Sequence, residues 1–324
     1  MFAVGLENAM DIQAEEANRL GMRMTLTRGA RDLSTKDGQL APPNVVQSID
    51  AIISDSERVI DLYHDTSDGA MLQVAVAPES PLAVSKDLMR ETLALSHRSG
   101  CRLHIHLAEL PVQVEQCLAR HGCRLAEYLD ELGWLSDKLW LAHAIHLSDS
   151  EIALLGRHGV GVCHCPTSNM MVGSGQCRTL ELEAAGSPIG LGADASAAND
   201  HSNLMDQLRQ AMLLNRLTYD PGSMSHLDAF RWGTTGSARC LGRHDIGEIA
   251  VGKQADFACW RLDDLRFSGA VDPLAALVYC AAWNAERVMI AGRWRVEDGV
   301  PVGTDLGKLK AEHSEASKAF LSSL

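Results

Sequence analysis

Short apolar runs recur along the chain, each separated from the next by a stretch with helical spacing. A first helix is predicted over Ala9–Leu20, with acidic outer positions (Asp11, Glu15, Glu16) and Gly21 as its stop. It leads into a β-like run at residues 22–27. The unit then repeats: a helix over residues 45–63, a strand at 72–77, a helix over Lys86–Ser99 ended by Gly100, and a strand over Arg102–Leu107. Further strands are predicted at residues 138–143, 161–165 and 188–193, with helical sequence between them. This makes six strands alternating with helices.

Apolar strands alternating with helices imply a parallel sheet buried on both faces, either doubly wound or closed as a (β/α)8 TIM barrel. The polar residues decide between the two. His106, Glu109, His143, His164 and Asp194 all fall at or just past the C-terminal ends of successive strands, where barrels of this kind build their sites. A doubly wound sheet would gather them at one switch point, and no glycine-rich phosphate loop follows any strand. The expected fold is therefore an α/β barrel occupying residues 1–244. Beyond it, turn-rich β runs (residues 246–260 and 286–296) predict a small β-rich unit over 245–304, and 305–324 reads as a polar C-terminal helix.

Composition narrows the function. Lys plus Arg number 29 against 42 Asp plus Glu, a net charge of −13, which opposes binding to nucleic acid or to anionic membranes. No apolar run reaches the ~18–20 residues of a membrane helix, and residues 1–7 lack a basic, then apolar, leader pattern. A cytoplasmic protein is expected. The nine cysteines, an odd number with no Cys-x-x-Cys, are expected to be reduced and mostly buried.

Three strand ends carry the candidate chemistry. In His104-Ile105-His106-Leu107-Ala108-Glu109 a strand sets both histidines on one face, with Glu109 just beyond its end. One histidine can bind a metal while Glu109 handles protons; His104 reads as a core histidine bonded to backbone. His143 ends the next strand, and His146 beyond it reads as a cap or loop residue. Asp194 ends a strand rich in small residues, where a buried carboxylate needs a partner or a cation, although alone it would read as a helix N-cap. Together, imidazoles plus a carboxylate are the means of holding a catalytic zinc with one position left for water. The Cys163-His164-Cys165 run resembles a soft-metal site, but its period sets both sulfurs opposite His164. Cys117, His121 and Cys123 read as helix or loop positions without a role.

In order and spacing, five runs are similar to the amidohydrolase superfamily. They are His-x-x-Glu (106–109), Ala-His-x-x-His-Leu (142–147), His-Cys-Pro-x-Ser-Asn (164–169), Gly-x-Gly-x-Asp-x-Ser (190–196) and Gly-x-Ile-x-x-Gly-Lys-x-Ala-Asp (247–256). The chain resembles the aminohydrolases of purines, pterins and s-triazines. Residues 265–278 and 287–294 are similar to the 8-oxoguanine deaminase and hydroxydechloroatrazine ethylaminohydrolase branch. The resemblance implies a metal-dependent hydrolytic deaminase of an oxidised purine, in which a metal-bound hydroxide attacks the ring carbon and ammonia leaves. It implies His106 as a metal ligand, Glu109 as the proton-transferring acid and base, His143 as a histidine at the metal-bound water or a further ligand, and Asp194 as ligand and water-orienting base. The implied cofactor is one Zn2+ per chain, with Fe2+ as the alternative. The partner is a small heterocycle, and homo-oligomerisation is implied only by the family likeness.

Two departures qualify this picture. The family's first strand carries a His-x-His pair, whereas this chain has no histidine before His64, so the resemblance implies a chain that starts after the first two strands. No lysine ends the strand at residues 72–77, Lys86 lying well past it, which favours one metal over a carbamate-bridged pair. Glu79, in the loop after that strand, and Arg28, after the first strand, are candidate substrate-binding residues; the competing readings are a solvated loop acid and a surface arginine. The competing functions are an s-triazine or pterin aminohydrolase, or a catalytically inactive truncated amidohydrolase acting as a folded or interaction module.

Overall fold

A computed structural model describes residues 8–39, 41–280 and 283–322; the leader reading at residues 1–7 lies outside them. The helix α1 (Ala9–Leu20) ends at Gly21, whose φ of 66° is the left-handed turn that glycine adopts without strain. There follow β1 (Met24–Ala30), α2 (Ile49–Tyr63), β2 (Leu72–Pro78), α3 (Lys86–Ser99) and β3 (Arg102–Leu107). Next come α4 (Pro111–His121), α5 (Leu125–Glu131), β4 (Leu139–His143), α6 (Asp149–Arg157), β5 (Gly161–His164), α7 (Pro166–Val172), α8 (Thr179–Ala185) and β6 (Ile189–Leu191). Helices α9 (Leu204–Thr218), α10 (His226–Arg231) and α11 (Ser237–Cys240) complete this part.

The six strands form one parallel sheet in the order β1-β2-β3-β4-β5-β6. Strand order never reverses, so the sheet has no switch point and winds in one direction, as a (β/α) barrel does and a doubly wound sheet does not. Serine caps begin α2, α3 and α6: Ser48, Ser85 and Ser148 each accept a backbone N–H from the first turn. Apolar side chains between sheet and helices make one continuous core, in which the Trp134 indole N–H donates to the Met89 carbonyl at 2.9 Å. After α10 the chain makes one wide turn at Trp232–Gly236 and lies directly against β6. A Cβ on Gly236 would sit 2.1 Å from the Ile189 carbonyl oxygen, so only glycine permits this approach.

A second, antiparallel sheet contains β7 (Phe257–Cys259), β8 (Arg287–Ile290), β9 (Arg293–Glu297) and β10 (Val300–Pro301), in the order β10-β9-β8-β7. Helix α12 (Pro273–Tyr279) lies in the β7–β8 connection, and α13 (Leu306–Leu321) follows β10. Of the run at residues 246–260 only β7 is strand, because residues 246–256 are spent on turns. Arg23 joins the two sheets: it donates to both carboxylate oxygens of Asp256, at 2.6 and 3.0 Å, and to the carbonyls of Gly69 and Ala70. All nine cysteines are unpaired thiols, five of them buried.

The first strand differs from expectation in a way that matters for the site. Predicted at residues 22–27, it runs over Met24–Ala30, because Arg23 is taken up below the sheet while Arg28, Gly29 and Ala30 pair with Val76, Ala77 and Pro78 of β2. The C-terminal end of β1 therefore lies three residues later, and the residue following it is Arg31.

Candidate active site

The ends of β2, β3, β4 and β6 meet around a cavity of about 210 Å³ lined by Glu79, Ser80, His106, Glu109, Gln113, His143 and Asp194. His106 lies near the end of β3, and its Nδ1–H donates to the Glu79 carbonyl at 3.0 Å. A carbonyl only accepts, so the lone pair of the His106 ring is on Nε2. The His143 Nδ1–H donates in the same way to Asn169 Oδ1 at 2.9 Å, which places that ring's lone pair on Nε2 as well. His143 Nε2 stands 3.7 Å from Asp194 Oδ2 and 3.8 Å from Glu109 Oε2. Burial, then the neighbouring His143, pushes the His106 imidazole down to about 4, so it is neutral and a competent ligand at physiological pH.

Backbone strain is concentrated at these strand ends. Ala108, His143, Ala144 and Asp194 have φ values of 50°, 68°, 49° and 62°, in the left-handed region that residues other than glycine rarely adopt. Such positions cost about 1–3 kcal/mol each and gather where a site over-determines the chain. Asp194 is secured by the Ser168 hydroxyl, which donates to Oδ2 at 2.5 Å, and by the Ala195 N–H, which donates to Oδ1 at 2.7 Å. Burial alone would raise its carboxyl, but these hydrogen bonds and the two nearby histidines hold it below the ordinary carboxylate value. Glu109 is steered by Gln113, whose Oε1 accepts the backbone N–H groups of Glu109 and Leu110 at 2.7 and 3.2 Å, and by Ser174 Oγ at 3.5 Å.

The donor set fits a divalent metal. One atom from each of His106, His143 and Asp194 lies within 4.8 Å of the others, the one such His/Cys/Asp/Glu group among the described residues. Ligands about 2.1 Å from a tetrahedral ion stand ~3.4 Å apart, close to the 3.7 Å between His143 Nε2 and Asp194 Oδ2. Three protein donors leave one position for water, the composition of a catalytic rather than a structural site. Both histidines are in the tautomer that offers Nε2, fixed by acceptors on Nδ1.

The other sequence candidates fall in different places. Glu79 lines the cavity, with its carboxylate held by Arg31 in a two-point ion pair. Arg28 is not brought to the cavity: it is buried inside β1 on the face toward α2, where it donates to Asp55 Oδ2 at 2.8 Å and to Gln47 Oε1 at 2.9 Å. His104 bonds the Trp140 carbonyl through Nδ1 and stacks on the indole, with centroids 4.8 Å apart. His146 Nε2 meets the Ser174 carbonyl. His164 is fully buried and outside the donor group, and its imidazole is held neutral by desolvation, down to about 3. The sulfurs of Cys163 and Cys165 both lie against Gly192. Sequence reasoning passed over Arg31, Gln113, Ser168 and Asn169. Arg31 follows β1 directly only once that strand's end is placed at Ala30, Gln113 acts on amides three and four residues before it, and Ser168 and Asn169 act through contacts formed only in the fold.

The sequence matches the Amidohydrolase family over residues 2–295. It is 51% identical to the 8-oxoguanine deaminase of Pseudomonas aeruginosa over 321 residues, covering 99% of this chain and 72% of that protein. It is 35% identical to an isoxanthopterin deaminase from an unknown prokaryotic organism, covering 95% of this chain and 67% of the relative. Among solved structures, atrazine chlorohydrolase from Arthrobacter aurescens TC1 complexed with zinc superposes with a TM-score of 0.91 at 31% identity, over 95% of this chain and 69% of that one. With the match spanning most of its length and the strand-end residues gathered in one cavity, the chain belongs to the amidohydrolase family.

Proposed function

We propose that this chain is a zinc-dependent hydrolytic deaminase of an oxidised purine, an 8-oxoguanine-like free base. The observation that carries the reading is the convergence of His106, His143, Asp194 and Glu109 on one small polar cavity. The 51% identity to an 8-oxoguanine deaminase over nearly the whole chain supports the substrate class. Size supports a free base as well, since about 210 Å³ is below the ~300 Å³ at which pockets for larger ligands begin.

His106, His143 and Asp194 would hold the metal, which when bound makes water a competent nucleophile near neutral pH. Net hydrolysis replaces the exocyclic C–NH2 by C=O, consuming one water and releasing one ammonia. Glu109, whose Oε2 faces His143, takes a proton from the attacking water and delivers it to the ring nitrogen beside the reacting carbon. Asp194, whose Oδ2 lies 3.7 Å from His143 Nε2, orients the attacking water beside that histidine. Glu79, beside His106 and with its charge oriented by Arg31, meets N–H groups on the edge of the ring.

The test is ammonia release by the zinc-loaded chain from 8-oxoguanine, isoxanthopterin and amino-s-triazines. The expected ranking of kcat/KM puts the oxidised purine first. Preference for the pterin or a triazine would move the substrate class within the same chemistry. Absence of ammonia from every substrate with zinc bound would overturn the deaminase reading.

A further inference from the structure

We infer that Ser168 and Asn169 act as one positioning clamp that orients a histidine and a carboxylate of the proposed metal site together; the inference rests on that metal reading. The two residues are adjacent on the first turn of α7, and each is 1% exposed. Ser168 Oγ–H donates to Asp194 Oδ2 at 2.5 Å, from β5–α7 to the end of β6. Asn169 Oδ1 accepts the Nδ1–H of His143 at 2.9 Å, from β5–α7 to the end of β4. One dipeptide thus reaches the strand ends on both sides of its own.

Three observations separate this from ordinary core packing. First, Asn169 Nδ2 is buried without a hydrogen-bond partner, so the amide bears a desolvation cost that a leucine would avoid. Its one hydrogen bond is spent on setting the His143 tautomer. Second, both of the groups held sit at strained positive-φ positions, which persist where surrounding contacts over-determine the chain. Third, the clamp is itself anchored: Pro166 begins the helix, the Asn169 N–H donates to the Cys165 carbonyl at 3.0 Å, and the Thr167 N–H donates to Gln207 Oε1 of α9 at 3.2 Å. His106 needs no such side chain because the Glu79 main-chain carbonyl performs the same task.

The experiment measures zinc affinity by competition with a chromophoric chelator, and the visible spectrum of the cobalt-substituted full chain. Outer-shell partners of metal ligands are worth ~10–100-fold in affinity. Asn169→Leu is expected to weaken zinc binding at least about tenfold and to shift the cobalt bands, while Asn169→Asp, which keeps an acceptor on Nδ1–H, restores both. Ser168→Ala is expected to weaken binding and Ser168→Thr to restore it. Zinc affinities within about threefold of the parent and unaltered cobalt spectra in Asn169→Leu and Ser168→Ala would overturn the clamp while leaving the metal site standing. A parent chain that binds no zinc would overturn both. Should Asn169→Leu fail to fold, Ser168→Ala, which removes a single oxygen, decides the matter.

Discussion

Glu151 offers a demanding test of how the site is supported from behind. It is 1% exposed at the start of α6, and its carboxylate accepts three donors: the Ala126 N–H at 3.0 Å, the Ser148 N–H at 2.9 Å and Arg124 Nε at 2.6 Å. Glu151→Ala strands two helix-start amides and one guanidinium. A buried donor left unsatisfied costs about 1–3 kcal/mol. Arg124 keeps 28% of its side chain exposed and recovers part of its loss from water. The total is therefore about 3–5 kcal/mol, the usual cost of breaking a buried pair from one side. Urea unfolding followed by circular dichroism measures it, with the slope expected to stay unchanged. The consequence reaches the cavity, since Arg124 Nη2 donates to the His146 carbonyl, His146 Nε2 meets Ser174, and Ser174 Oγ meets Glu109. A loss below about 1 kcal/mol would refute the reasoning, because it would mean that the three donors find equal partners without the carboxylate.

Three further outcomes are expected. Glu109→Gln removes proton transfer but no metal donor, so kcat should fall ~10²–10⁴-fold while zinc content, read by elemental analysis, stays at the parent value. Arg28→Ala should destabilise the fold in urea and leave KM for the deamination substrate unchanged, because Arg28 is spent on Asp55 and Gln47 outside the cavity; a raised KM with unchanged stability would restore it as a substrate contact. Hydrogen bonds from Arg58 and Tyr63 hold the Asp11 carboxyl down to about 2. A depressed carboxyl stabilises the fold above its ordinary value of ~3.9, and that contribution is lost as the pH falls toward 2. Asp11→Asn should therefore flatten the loss of stability between about pH 4 and pH 2, as measured by urea midpoints across that range.

How much of this was legible in the sequence depended on whether a residue's role is set locally. The six strands were readable because each is a short apolar run between helical spacings. His106, Glu109, His143 and Asp194 were readable because polar side chains stand where those runs end. Arg28 shows the limit: placing the end of β1 three residues early turned an arginine inside the strand into a loop residue, and Arg31 went unnoticed. Alternation gives the reason, since Leu26, Arg28 and Ala30 share one buried face, and only the approach of Asp55 and Gln47 makes a charge acceptable there. Ser168 and Asn169 stood within a quoted motif without a role, because their partners lie at or past strand ends 26 residues away in either direction. No local pattern encodes such a meeting.

The most direct test of the central claim is the metal content of the purified full chain after zinc loading, compared with the His106→Ala variant. About one zinc per chain, lost in His106→Ala and retained in His104→Ala, is the predicted result. Zinc absent from the parent, or bound equally by His106→Ala, would contradict the account.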